Sequence, residues 1–90
     1  MNSKPWFVYI LECKDGSFYT GTTNDLDKRM KAHAEGKGSK YVSNKGFKQL
    51  LRTKECQDKS DACKSEYQIK LLDKRDKLDW FKNLVVPSTF

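Results

Sequence analysis

Tyr9 and Tyr19 stand ten positions apart in the stretch FVYILECKDGSFYTGTT, on either side of Asp15-Gly16. Arg29 and His33 follow four residues apart, and one later glutamate, Glu66, sits in a pattern with Ala62, Ile69 and Leu72. These residue types form a kit for phosphodiester hydrolysis. A guanidinium neutralises the oxygens of a pentavalent phosphate, and a carboxylate holds one hard, largely hydrated divalent ion such as Mg²⁺ or Mn²⁺ that stabilises the leaving oxygen. A phenol or an imidazole accepts the proton of the attacking water. Tyrosine has a reference pKa near 10, so only about a thousandth is ionised at neutral pH without help from nearby positive charge.

Each residue also has a plainer reading. Tyrosines are good strand formers and pair across a ladder. A lone histidine at the edge of an apolar helix stripe is commonly structural, and an arginine there can lay its methylenes over apolar neighbours. Glu66 falls in the middle of its apolar stripe, where a lone carboxylate is very costly. It must therefore snorkel out, pair with a lysine or with Arg29, or bind a cation.

The elements that position these residues follow from local signals. Aromatic and β-branched residues on both sides of Lys14-Asp15-Gly16-Ser17 predict antiparallel strands over 6–13 and 17–22, with both tyrosines inside them. Asn24 or Asp25 caps a helix over 25–35, with Leu26 and Met30 as its buried stripe and Gly36 at its end. Arg29 and His33 share a face beside that stripe, and Lys28 and Lys31 point to solvent. Residues 36–46 read as a glycine-bearing loop, and FKQLLRTKEC reads as a third strand centred on Leu50 and Leu51. Ser60 caps a helix from Asp61 to about Leu72, and a last helix from Lys74 to Leu84 presents Leu78, Phe81 and Val85. Val85, Val86 and Pro87 close the chain. The order β-β-α-β-α-α predicts an α+β fold, a small, mainly antiparallel three-stranded sheet flanked by helices.

Ninety residues support one domain, with a C-terminal helix and tail over 74–90. Eighteen Lys and Arg against twelve Asp and Glu give a net charge of +6, which suits a polyanion, nucleic acid before membrane. The apolar run near the start is too short for a signal peptide or a membrane span, so a cytoplasmic protein is expected. Cys13, Cys56 and Cys63 lack zinc-site spacing with His33 and read as reduced thiols, partly in the core.

Taken in order, VY at 8–9, YTG at 19–21, Arg29, His33 and Glu66 resemble the GIY-YIG endonuclease superfamily over residues from about 4 to 80. The likeness is closest to its small bacterial stand-alone branch, in which WFVYIL, DGSFYTGTT, DLDKRMKAHAEGKGSKYV and an EYQIKLL helix are typical. The superfamily includes the N-terminal nuclease domain of the excision-repair protein UvrC and Slx-type structure-specific nucleases. By position, the resemblance implies that Tyr9 or Tyr19 activates water, that Arg29 binds phosphate and that His33 supports proton transfer or phosphate contact. It implies Glu66 as the sole protein ligand of one catalytic divalent ion, and Gly21 as a close approach of backbone to substrate or helix. Lys40 and Tyr41, in the expected loop, read as a DNA-contacting pair. Phe7 stands where the first motif has glycine, and Thr22 where several of these nucleases have a lysine able to lower a tyrosine pKa.

The expected function is therefore metal-dependent endonucleolytic hydrolysis of DNA, structure-specific in repair or recombination and aided by a targeting partner protein. Two other readings stay open. One is a nucleic-acid-binding or partner-docking domain with little cleavage, and the other is action on RNA, because phosphate contacts do not read the sugar.

Overall fold

A computed structural model of the chain describes residues 5–83, with side chains described to Phe81. Strands β1 (Trp6–Cys13) and β2 (Phe18–Thr23) are followed by helices α1 (Leu26–Ala34) and α2 (Lys40–Lys45). Strand β3 (Phe47–Cys56) and helices α3 (Lys59–Lys70) and α4 (Lys74–Asn83) complete the order. The three strands form one antiparallel sheet in the order β2-β1-β3, as the sequence predicts. Leu84, Val85, Val86 and Pro87, expected to end and follow the last helix, lie outside the described residues.

The central position of β1 explains its nearly continuous apolar sequence, because both of its faces are covered. Val8 and Ile10 pack with Ala62 and Ile69 of α3 and Phe81 of α4. Tyr9, Leu11 and Cys13 point the other way, onto Val42, Leu26, Met30 and Phe47. Alternation thus assigns Tyr9 to the layer formed by α1 and α2. The register shifts twice along β3, leaving Lys48 and Leu51 as extra residues against β1, and the consecutive Leu50 and Leu51 serve opposite faces.

The hairpin turn closes through Gly16 N–H to the Cys13 carbonyl at 2.9 Å, with Gly16 at φ 89°. The Asp15 carboxylate accepts from the Ser17 amide at 3.0 Å and its hydroxyl at 2.6 Å, which holds Asp15 well below the usual carboxylate range, at about 2. Asp25 caps α1 by accepting from the Lys28 amide. At the other end, Gly36 at φ 81° lets Lys37 N–H reach the Ala32 carbonyl and its own N–H reach that of His33. This paired closure folds residues 37–38 back along α1.

Three local expectations need correction. Residues 40–45 form a short helix, α2, rather than loop, because Ser39 Oγ caps the Val42 amide, Gly46 at φ 86° ends the turn and Val42 is fully buried. The cap of α3 is Asp58, not Ser60. Asp58 accepts from the Asp61 amide at 2.8 Å, and Asp61 in return accepts from that of Gln57 at 2.9 Å. The buried stripe of α3 runs through Ala62, Ser65 and Ile69, so Glu66 stands at its edge rather than in its middle. Ser65 is small enough to lie buried under the sheet. All three cysteines are free, with Cys13 and Cys56 buried and Cys63 exposed.

Candidate active site

Tyr9 pairs across the ladder with Gly21, and Leu11 with Tyr19, so the two tyrosines lie diagonally on one face. Their ring centroids are 6.4 Å apart. A Cβ on Gly21 would stand 2.5 Å from Tyr9 Oη and 3.0 Å from Tyr19 Cε2. Glycine is required here because the phenol of Tyr9 lies directly over the backbone of β2.

Helix α1 brings His33 to the same place. Its Nε2 is 2.8 Å from Tyr9 Oη, a hydrogen bond whose direction follows the histidine tautomer. The imidazole stacks on Phe47 at 6.4 Å and presents its edge region to Tyr19 at 5.5 Å. His33 was expected at the rim of the apolar stripe, but it is 1% exposed. Phe47 and the Gly38 backbone cover it, both supplied by chain distant from the helix period. Nδ1 has no hydrogen-bond partner, and any side chain at Gly38 would collide with the ring, 2.8 Å from Cε1 and closer still to Nδ1.

This arrangement keeps both groups neutral. Burial pushes the Tyr9 phenol far above its ordinary value, Tyr19 and Glu66 push the same way, and only Arg29 pulls it down. Burial and the Arg29 charge push the His33 imidazole below 6.5. A standing tyrosinate or imidazolium is therefore disfavoured, and the resting pair is a neutral phenol beside a neutral imidazole.

Arg29 is half-buried, and its guanidinium makes no hydrogen bond or ion pair among the described residues. It borders a cleft of about 400 Å³ between the Lys28–Arg29 side of α1 and the Lys37-Gly38 segment, closed at one end by Thr23 and Asn24. A larger concavity of about 900 Å³, beside Phe18, Arg52 and α4, contains none of the candidate residues.

Glu66 approaches from α3, which packs on the opposite face of β1 and β2. Its carboxylate contacts Lys70 Nζ at 2.9 Å, with side-chain exposures of 23% for Glu66 and 54% for Lys70. The pairing is with Lys70, not with Arg29, and the Glu66 charge adds a small upward push to the Tyr9 phenol. Thr22 pairs with Val8 and so alternates away from Tyr9.

Lys40 and Tyr41 lie exposed on α2. The Tyr41 ring stacks on Tyr19 at 5.8 Å with 29° between planes, and Lys45 Nζ stands 5.4 Å from its centre. The structure thus brings Tyr9, Tyr19, Gly21, His33 and Tyr41 into one cluster with Arg29 beside it. Glu66 reaches it from across the sheet, and Lys40 touches none of it in the contacts described. Gly38, Phe47, Lys28 and Lys37 were missed by sequence reasoning, although the GKGSK run after the cap glycine was a visible signal of close backbone approach with positive charge.

A divalent ion fits this donor set in one way. Among the described residues no three His, Cys, Asp or Glu side chains cluster as a cage. Glu66 offers one half-buried carboxylate whose partner Lys70 is exposed enough to swing aside. A hard ion that keeps most of its waters and takes phosphate oxygens suits such a site, and a dedicated protein cage is not needed.

Known proteins match the chain in sequence and in fold. A family model described as the GIY-YIG catalytic domain matches residues 5–79. The UPF0213 protein BH0048 of Halalkalibacterium halodurans is 51% identical over 71 residues, 79% of this chain and 76% of that protein. The UPF0213 protein XAC3202 of Xanthomonas axonopodis pv. citri is 38% identical over 79 residues, covering 88% and 78%. The solution NMR structure of protein EF2693 from E. faecalis superposes with a TM-score of 0.66 at 31% identity, covering 99% of this chain and 95% of that one. The solution structure of BH0048 from Bacillus halodurans superposes with a TM-score of 0.52 at 42% identity, covering 96% and 99%. No helix among the described residues is long and apolar enough to cross a membrane.

Proposed function

This chain belongs to the GIY-YIG catalytic-domain family, a nuclease family, and on that premise we propose that it is a cytoplasmic, single-domain DNA endonuclease that hydrolyses phosphodiesters with one Mg²⁺ or Mn²⁺. The observation that carries this reading is the buried hydrogen bond between Tyr9 Oη and His33 Nε2, set beside the unpaired Arg29 guanidinium.

In the proposed reaction, Tyr9 Oη accepts a proton from the attacking water while its own proton passes to His33 Nε2. The phenol stays neutral throughout, which suits a group whose ionisation is strongly opposed, and the proton's charge rests on His33, where burial and Arg29 favour its quick release once the bond is cut. Of the two tyrosines, Tyr9 is hydrogen-bonded to an imidazole in the contacts described, so with Nε2 as the unprotonated nitrogen it takes the base role and Tyr19 the role of neighbouring wall. Tyr9 is 1% exposed without substrate, so the reaction requires the half-buried Tyr19 to give way when the strand binds. Arg29 binds the non-bridging phosphate oxygens and neutralises the charge that develops there. Glu66 would hold the divalent ion, which when bound supplies positive charge to the leaving oxygen. Lys40 and Tyr41 contact the flanking nucleic acid.

The test is cleavage of labelled duplex, flap, fork and four-way-junction DNA, and of the matching RNA, with Mg²⁺, Mn²⁺ or EDTA, beside Arg29→Ala and Glu66→Gln. Metal-dependent cutting abolished by both substitutions supports the proposal. Binding with the same background cleavage in all three proteins would replace it with a docking domain. Preference among the branched substrates reads out the proposed repair or recombination role, and its need for a targeting partner.

A further inference from the structure

Beside the Tyr9–His33 pair, the cleft along α1 has a charge arrangement of which the hydrolysis proposed above uses only Arg29. Lys28 and Arg29 line its helix wall and Lys37 the opposite wall. None of the three makes an ion pair among the described residues, whereas Lys45, Lys48 and Lys70 each lie against a carboxylate. The one carboxylate in the lining, Asp25, accepts the Lys28 backbone amide and is committed to the start of the helix. Three cations against the one Asp25 carboxylate leave the concave space net positive, and an anion of matching size relieves the repulsion among them.

The geometry also fixes where such an anion stands. The Gly36 closure that returns Lys37 along α1 makes the second wall, and Arg29 belongs both to this cleft and to the surroundings of Tyr9 and His33. We infer that the cleft seats a second phosphate of the same strand, next to the one that is cut, with Lys28 and Lys37 as its contacts and Arg29 between the two. The inference rests on the reading of the protein as acting on nucleic acid. Phosphate contacts of this kind set the register of the strand without reading its sequence.

The test measures affinity for fluorescent DNA in EDTA, from 50 to 200 mM KCl, for the wild type, Lys28→Ala, Lys37→Ala and Lys64→Ala, with a melting curve for each. Lys64 is exposed on α3, away from the cleft. Lys28→Ala and Lys37→Ala should each flatten the log–log salt dependence by about one unit, equally on unrelated sequences, with Lys64→Ala unchanged. Unchanged slopes in both variants, or an equal change in Lys64→Ala, would overturn the assignment. Inorganic phosphate at matched ionic strength gives the other arm. If it binds the wild type through these lysines while the DNA slopes stay unchanged, the cleft is a free-anion site and the strand assignment falls. Cleavage in Mg²⁺ is read separately: cutting with unchanged slopes removes only this inference, and changed slopes without cutting remove only the nuclease.

Discussion

Tyr9 Oη and His33 Nε2 lie 2.8 Å apart in a layer where both side chains are about 1% exposed. Removal from water raises the cost of charge on either partner, so the resting pair is a neutral phenol and a neutral imidazole, and a proton entering it is held only transiently, on the imidazole. Arg29, Gly21 and Gly38 define the surroundings of that hydrogen bond, and the predictions below act on it or on the groups around it.

The pH dependence follows from the directions of the two shifts. The relay needs His33 neutral, and its folded-state pKa lies below 6.5. Cleavage should therefore be flat through neutrality and fall on an acid limb placed below pH 6.5, with no alkaline limb from Tyr9 below pH 10. Stability shares the sign: the folded state takes up the His33 proton less readily than the unfolded chain, so stability is lost as pH falls from 6.5 towards the folded-state value. Single-turnover rates and chemical denaturation from pH 5 to 9 check both, and an acid limb centred above 6.5 would be inconsistent with the buried imidazole.

Gly21→Ala and Gly38→Ala each put a methyl group into one partner of the pair, against Tyr9 Oη at 2.5 Å and against the His33 ring. Overpacking of this kind costs about 1–3 kcal/mol. For a chain of this size that corresponds to roughly 4–8 °C of melting temperature per kcal/mol. Cleavage should fall further than the melting temperature explains, because the collision also separates Oη from Nε2. The ¹⁵N shifts of His33 should move in both variants.

In the proposed site Lys70, 2.9 Å from the Glu66 carboxylate, would compete with a divalent ion for it. An ion pair this exposed is worth about 0.2–1 kcal/mol. Lys70→Ala should thus lower the Mg²⁺ concentration for half-maximal activity by up to roughly fivefold, while Glu66→Gln removes the metal response. A titration of rate against Mg²⁺ in the three proteins makes the comparison.

Tyr41 has 40% of its surface free while one face rests on Tyr19. A base stacked on an exposed aromatic face is worth about 1–3 kcal/mol. Tyr41→Ala is expected to weaken DNA binding accordingly and to leave the rate at saturating substrate nearly unchanged, as judged from KM and kcat measured separately.

Much of this was legible in the sequence. The Asp15-Gly16 turn between two apolar runs gave both strands of the hairpin, and the cap residues around Leu26 and Met30 gave α1, because those signals are local. Helix α2 was missed because six residues with a single aliphatic, Val42, leave no periodic trace, although Ser39 and Gly46 bracket it as a cap and a stop. The burial of His33 depends on Phe47 and Gly38 arriving from elsewhere in the chain, which no helical period encodes. Glu66 was placed in the middle of its stripe because Ser65 is polar by type. Its small volume lets it lie under the sheet instead, which moves the glutamate to the edge.

The account stands most directly on Tyr9, and the measurement is the single-turnover cleavage rate of Tyr9→Phe beside Tyr19→Phe, both at saturating Mg²⁺ with folding confirmed. Loss of a general base costs about 10²–10⁴ in rate, and that loss is predicted for Tyr9→Phe, with Tyr19→Phe within about tenfold of the wild type. A Tyr9→Phe protein that cuts at nearly the wild-type rate while Tyr19→Phe does not would contradict the Tyr9–His33 relay.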